Sequence, residues 1–125
     1  MATILVVDDE ISTRCVVKEY FSDKGYEVLE AADVSTGMTV AKEYKPDLIL
    51  ADFIMPGPPG ENFFKLLESH PETKNIPLII ISGLPAEKIQ SYIPVKHWKN
   101  IMSKPLEYKL LTEKVKEFLN GKAPA

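Results

Sequence analysis

Three short runs of unbroken apolar residues, each ending on a polar one, constrain this chain most. Ile4-Leu5-Val6-Val7 runs into Asp8-Asp9-Glu10, Leu48-Ile49-Leu50-Ala51 into Asp52, and Leu78-Ile79-Ile80-Ile81 into Ser82-Gly83. Apolar runs of this length, bounded by turn or charged residues, read as strands buried on both faces. Helical patterns lie between them. Over residues 11–24, Thr13, Val16, Val17, Tyr20 and Phe21 fall near one face, and Gly25 is a natural stop. Tyr26 to Ala31 alternates as a second strand at an edge. Val34, Met38, Ala41 and Tyr44 are spaced for a second helix, which Pro46 ends. The proline- and glycine-rich segment Met55 to Gly60 reads as a loop. Phe63, Phe64, Leu66 and Leu67 carry a third helix that stops near Pro71. Pro85 starts a short fourth helix and Pro94 ends it. Lys99 to Ser103 reads as a short fifth strand. Lys104-Pro105 then turns into an amphipathic helix bearing Leu106, Leu110, Leu111, Val115, Phe118 and Leu119.

Strand followed by helix, five times over, predicts an α/β fold: one parallel sheet covered on both faces, with right-handed crossovers. The 125 residues suit a single domain over residues 1–121 with a frayed tail at 122–125, and no output domain. The single cysteine, Cys15, permits no internal disulfide and reads as a small buried or half-buried apolar residue. Fifteen basic against 18 acidic residues give a net charge of −3, which weighs against general nucleic-acid binding. The N-terminus is too short and acidic for a signal peptide, and no apolar run approaches the ~20 residues of a membrane span. A cytoplasmic protein that uses neither membrane nor nucleic acid is expected.

In a parallel sheet the carboxyl ends of the strands share one edge, where such folds bind ligands. Asp8 and Asp9, Asp52, Ser82 and Lys104 all belong to strand ends or adjoin them. Three carboxylates in one cleft repel each other unless a cation is present, and hard oxygen ligands favour Mg²⁺. A lysine and a hydroxyl opposite such a site suit an incoming phosphoryl group, whose transfer relies on positioning and charge neutralisation. A carboxylate can be the covalent nucleophile, and Asp52 is the acid in that position.

Asp8-Asp9, Asp52 with Met55-Pro56-Gly57, Ser82-Gly83 and Lys104-Pro105, in that order, resemble the signature of response-regulator receiver domains, the phospho-acceptor modules of two-component signalling. The resemblance covers the chain nearly end to end. It implies a stand-alone flavodoxin-like domain with sheet order 2-1-3-4-5. It implies that Asp52 takes a phosphoryl group from a sensor histidine kinase or a histidine phosphotransfer protein. Asp9 would bind Mg²⁺ directly, with Asp8, Asp52 and the Ile54 carbonyl as further ligands. Lys104 would pair with the phosphoryl oxygens, Ser82 would bond the group once present, and the Lys104-Pro105 peptide would be cis. Output would pass to an unidentified protein through the face of the fourth helix, fifth strand and fifth helix, from a monomer or a phosphorylation-dependent dimer. Only self-catalysed phosphotransfer and autodephosphorylation are expected, not an enzyme acting on another substrate.

The sequence departs from the family pattern at the switch. The aromatic residue usual three positions before the lysine is Ile101 here, with His97 and Trp98 close by. Ile101 or Trp98 therefore stands as the switch candidate beside Ser82. Ile54 and Leu84, apolar at positions that govern attack of water in this family, imply a long-lived phosphoryl form. Other readings fit less well. Haloacid-dehalogenase-type phosphatases place a second Asp two residues after the nucleophile, a pattern absent here. A flavodoxin-like cofactor binder lacks its phosphate loop after strand 1. A receiver-like interaction module that takes no phosphate remains the alternative, although no key residue is missing. His70 and His97 have no partner at ligand spacing and read as surface residues. The pair Phe63-Phe64 reads as core.

Overall fold

The computed structural model describes residues 2–53, 60–93 and 95–119, with backbone only at 60–62 and 96. The strands are β1 (Thr3–Val7), β2 (Glu27–Ala31), β3 (Leu48–Asp52), β4 (Leu78–Ser82) and β5 (Ile101–Ser103). The helices are α1 (Ile11–Ser22), α2 (Val34–Tyr44), α3 (Gly60–Ser69), α4 (Ala86–Gln90) and α5 (Tyr108–Phe118). The strands form one parallel sheet in the order β2-β1-β3-β4-β5, as the resemblance implied.

Alternate residues of each strand serve two cores, because successive side chains leave opposite faces of a sheet. Leu5, Val7, Ile49, Ala51, Leu78 and Ile80 pack with Met38 and Ala41 of α2, Phe63, Phe64 and Leu67 of α3, and Ile89 of α4. Ile4, Val6, Leu48, Leu50, Ile79 and Ile81 pack with Val17 and Phe21 of α1 and Leu111 and Val115 of α5. Every residue of β3 is buried, including Asp52. The two-sided core therefore fixes where that carboxylate emerges. Gly37 brings α2 close: a Cβ there would lie 3.2 Å from Phe63 and 3.3 Å from Val7.

Several expectations are corrected. Helix α1 ends at Ser22 rather than residue 24, and Gly25 takes the left-handed turn with φ of 95°. Val16 is exposed, since only Val17 and Phe21 of the predicted stripe are buried in the core. Cys15 is also exposed and not a packing residue. Gly60 belongs to α3 rather than to the preceding loop. Leu66, one of the residues read as carrying α3, faces outward. Helix α2 does end before Pro46, with Lys45 in the left-handed region at φ 45°. The predicted fifth strand is shorter, because Val95–Asn100 winds into a 3-10 helix before β5 begins at Ile101. The loop over 55–59, Pro94 and the tail beyond Leu119 lie outside the described residues.

Candidate phosphoryl-acceptor site

Residues just past β1, β3 and β5 continue the ladder and hold the polar groups on one edge. The Asp8 N–H donates to the Ala31 carbonyl at 3.0 Å, the Phe53 N–H to Ile81 at 2.8 Å, and the Lys104 N–H to Ser82 at 2.8 Å. Asp8 and Asp52 are both buried. The Lys104 ammonium joins them: Nζ lies 2.8 Å from Asp52 Oδ2, 3.4 Å from Asp8 Oδ2 and 3.4 Å from Glu10 Oε1. Asp8 Oδ1 also accepts the Glu10 N–H at 2.9 Å. The Lys104-Pro105 peptide is cis, as the resemblance implied.

Electrostatics follow from this crowding. Burial raises the Asp8 pKa. The Glu10 N–H opposes the rise, the Asp52 charge adds to it, and Lys104 offsets part of it. Burial would lower the Lys104 pKa, but its hydrogen bond and charge pairing with Asp52, then Asp8 and Glu10, outweigh that and carry it above the ordinary lysine range. Oxygens of Asp8, Glu10 and Asp52 lie within 4.8 Å of one another. One ammonium thus faces three carboxyl groups. All-oxygen donors with surplus negative charge fit a hard divalent cation such as Mg²⁺, which binds through one or two carboxylates plus phosphate oxygens.

The structure thus brings Asp8, Asp52 and Lys104 together. Asp9 is exposed and stands outside the group of three acids. Glu10 is in that group, although sequence reasoning gave it no role; its place in the run Asp8-Asp9-Glu10 was the available signal. Ile54, including its carbonyl, lies outside the described residues. Ser82 is fully buried, and its Oγ accepts the Leu84 N–H at 2.9 Å. That hydroxyl holds its own loop and keeps its proton to donate elsewhere. Ile101 is half-buried against the core on the α4 side. Trp98 shares its indole N–H between the carbonyls of Gln90 and Ile93, each at 3.2 Å. It thereby satisfies the carbonyl of Gln90, the last residue of α4, and that of Ile93 just past the helix.

One histidine, His97, differs from expectation, whereas His70 lies at the surface as read. His97 is mostly buried, with Nε2 3.3 Å from Glu68 Oε1 of α3, so it pins the 3-10 helix to α3. His70 Nδ1 lies 2.8 Å from the Leu66 carbonyl at the end of α3. Phe63 and Phe64 are core, as read. Among the described residues no helix is long and apolar enough to cross a membrane.

Known proteins match this arrangement. A family model described as "Response regulator receiver domain" matches residues 4–116. Protein PilH of Pseudomonas aeruginosa is 29% identical over 121 residues, covering 97% of this chain and 100% of its own length. The phosphate regulon transcriptional regulatory protein PhoB of Klebsiella pneumoniae is 30% identical over 121 residues, covering 97% of this chain; the chain spans 53% of that relative. The chemotaxis protein CheY4 of Vibrio cholerae superposes with a TM-score of 0.84 at 28% identity, covering 95% of this chain and 99% of its own. With its five-stranded order, buried strand-end acids and Lys104, the chain belongs to the response-regulator receiver domains of two-component signalling.

Proposed function

We propose that Asp52 accepts a phosphoryl group from the phosphohistidine of a sensor histidine kinase or a histidine phosphotransfer protein. The observation that carries this reading is the Lys104 ammonium 2.8 Å from Asp52 Oδ2, with Asp8 buried alongside. An Asp52 carboxylate oxygen forms the new P–O bond as the donor's P–N bond breaks; the imidazole leaves with the electron pair and takes up a proton. Asp8, Asp9, Asp52 and the Ile54 carbonyl would hold Mg²⁺, with Glu10 as the further acid the geometry adds. The ion supplies charge neutralisation at the phosphoryl oxygens. Lys104 pairs with one of those oxygens, and the Ser82 hydroxyl donates to another, drawing the following loop inward. The activity is self-directed, phosphotransfer and autodephosphorylation, with no external substrate.

Output passes through protein binding at the face of α4, β5 and α5. Exposed Tyr92, Val95, Trp98 and Leu110 on and beside these elements support that reading. Ile101 or Trp98 is the switch residue beside Ser82, and apolar Leu84 slows attack of water. The target is a protein in the cytoplasm, and the net charge of −3 supports a protein over nucleic acid.

Incubation with acetyl phosphate and Mg²⁺, followed by intact mass, tests the reading. One added phosphoryl group on wild type, absent from Asp52→Ala and from EDTA-treated protein, is expected. No gain on folded wild type would leave an interaction module that takes no phosphate.

A further inference from the structure

Every polar atom of Asp8 is engaged, and one partner comes from outside the cleft. Its N–H bonds Ala31, and its carboxylate takes the Glu10 N–H and Lys104. Its carbonyl accepts Nη1–H of Arg14 at 2.7 Å. Arg14 lies in α1, with a side chain only 14% exposed, and its Nε is 3.4 Å from Glu30 Oε1 of β2. Lys18 reaches the other Glu30 oxygen at 3.3 Å. A guanidinium can hold a carbonyl and a carboxylate at once through its rigid fork.

The Asp8 carbonyl and the Asp9 N–H belong to one planar peptide unit. Strand β1 ends at Val7, so ladder pairing no longer fixes this plane from both sides. Fixing the carbonyl fixes the directions in which Asp8 and Asp9 leave the backbone. We propose that Arg14, oriented by Glu30, is a positioning residue that presets the Asp8–Asp9 turn for a divalent cation. This rests on the reading of these acids as cation ligands.

Charge alone makes the opposite prediction. A guanidinium beside the acids repels an incoming cation, so its removal should tighten binding. Loss of an outer partner that orients ligands typically weakens metal affinity by about 10–100-fold. The sign of the change therefore separates positioning from simple electrostatics.

The test is calorimetric titration of MgCl₂ into the full chain, for wild type, Arg14→Ala and Arg14→Lys, with thermal unfolding in EDTA to establish that each variant folds. Arg14→Ala should bind Mg²⁺ about 10-fold more weakly. Arg14→Lys keeps the charge but loses the fork, and should also bind more weakly, by a smaller factor. The Asp9 amide resonance should shift in both variants before Mg²⁺ is added. Affinity equal to or tighter than wild type in folded Arg14→Ala overturns the proposal. If Arg14→Ala does not fold, unchanged affinity in Arg14→Lys overturns it. Wild type that binds no Mg²⁺ overturns the cation site and this inference with it.

Discussion

Strands β3 and β5 both deliver a charged residue to the cleft, yet they are built differently. β3 has five residues, all buried, with a strand neighbour on each side. Asp52 cannot move without disturbing two cores. β5 has three residues, half-buried or exposed, and pairs only with β4. A 3-10 helix precedes it, and α4 nearby has only five residues. Besides the ladder to β4, side-chain contacts tie this margin down: the Trp98 indole on two carbonyls and His97 on Glu68. Regions with few buried contacts open at lower free energy than the core. Asp52 thus sits where displacement is costly, and Ile101 and Trp98 sit at the sheet margin, where it costs less.

Truncation of each strand tests this contrast most strongly. Leu50→Ala in β3 should cost about 3 kcal/mol, as for a fully buried leucine, and Ile101→Ala in β5 about 1–2 kcal/mol, both read by urea denaturation. Equal losses would remove the distinction between centre and edge.

Lys104→Ala joins the two regions, since it withdraws the edge's cation from the centre's acids. With a quarter of the lysine side chain exposed, a loss of about 2 kcal/mol in EDTA is expected, less than for a wholly buried pair. Mg²⁺ should restore more stability to this variant than it adds to wild type. The folded-state pKa of Lys104 is raised, so its contribution is full below the ordinary value of 10.5 and lost only as pH rises through the folded value. The lysine itself therefore adds no pH dependence near neutrality.

Trp98→Phe removes one shared donor and should cost about 1 kcal/mol. The indole emission of wild type, which has a single tryptophan, should change on phosphorylation if this edge moves. Unchanged emission would leave the switch to Ile101.

Asp33 provides a control in neither region. Its carboxylate caps α2 by accepting the Thr36 N–H at 2.8 Å, and Asp33→Ala should cost about 1 kcal/mol. That bond lowers the Asp33 pKa, so the stabilisation is present above the ordinary value of 3.8 and lost as pH falls through the folded value. The gap between wild type and variant should close in acid, with phosphorylation unaffected. A constant gap would contradict the cap.

What could be read from the sequence follows the same division. Continuous apolar runs marked β1, β3 and β4, because strands buried on both faces leave no polar positions to confuse the pattern. Their ends placed Asp52, Asp8 and Ser82, and the Lys-Pro pair placed Lys104. The edge was harder to read. Val95 to Asn100 mixes Lys96, His97, Trp98 and Lys99 with no helical or strand period, so its 3-10 turn left no signal. The His97–Glu68 pair joins residues 29 apart in sequence. Glu10 belongs to the acidic run after β1 and Arg14 to α1, and only the turn after β1 brings them to Asp8. On α1, Val16 is exposed while its neighbour Val17 is fully buried, a difference that apolar composition does not encode.

The most direct test of the central claim is chemical mapping of the acceptor. The protein is phosphorylated with a small-molecule donor and Mg²⁺, the acyl phosphate is reduced with borohydride, and the peptides are sequenced by mass spectrometry. Homoserine at position 52, and at no other aspartate, is the predicted result. Reduction at Asp8 or Asp9, or no reduction anywhere in the folded, phosphate-treated protein, would contradict it.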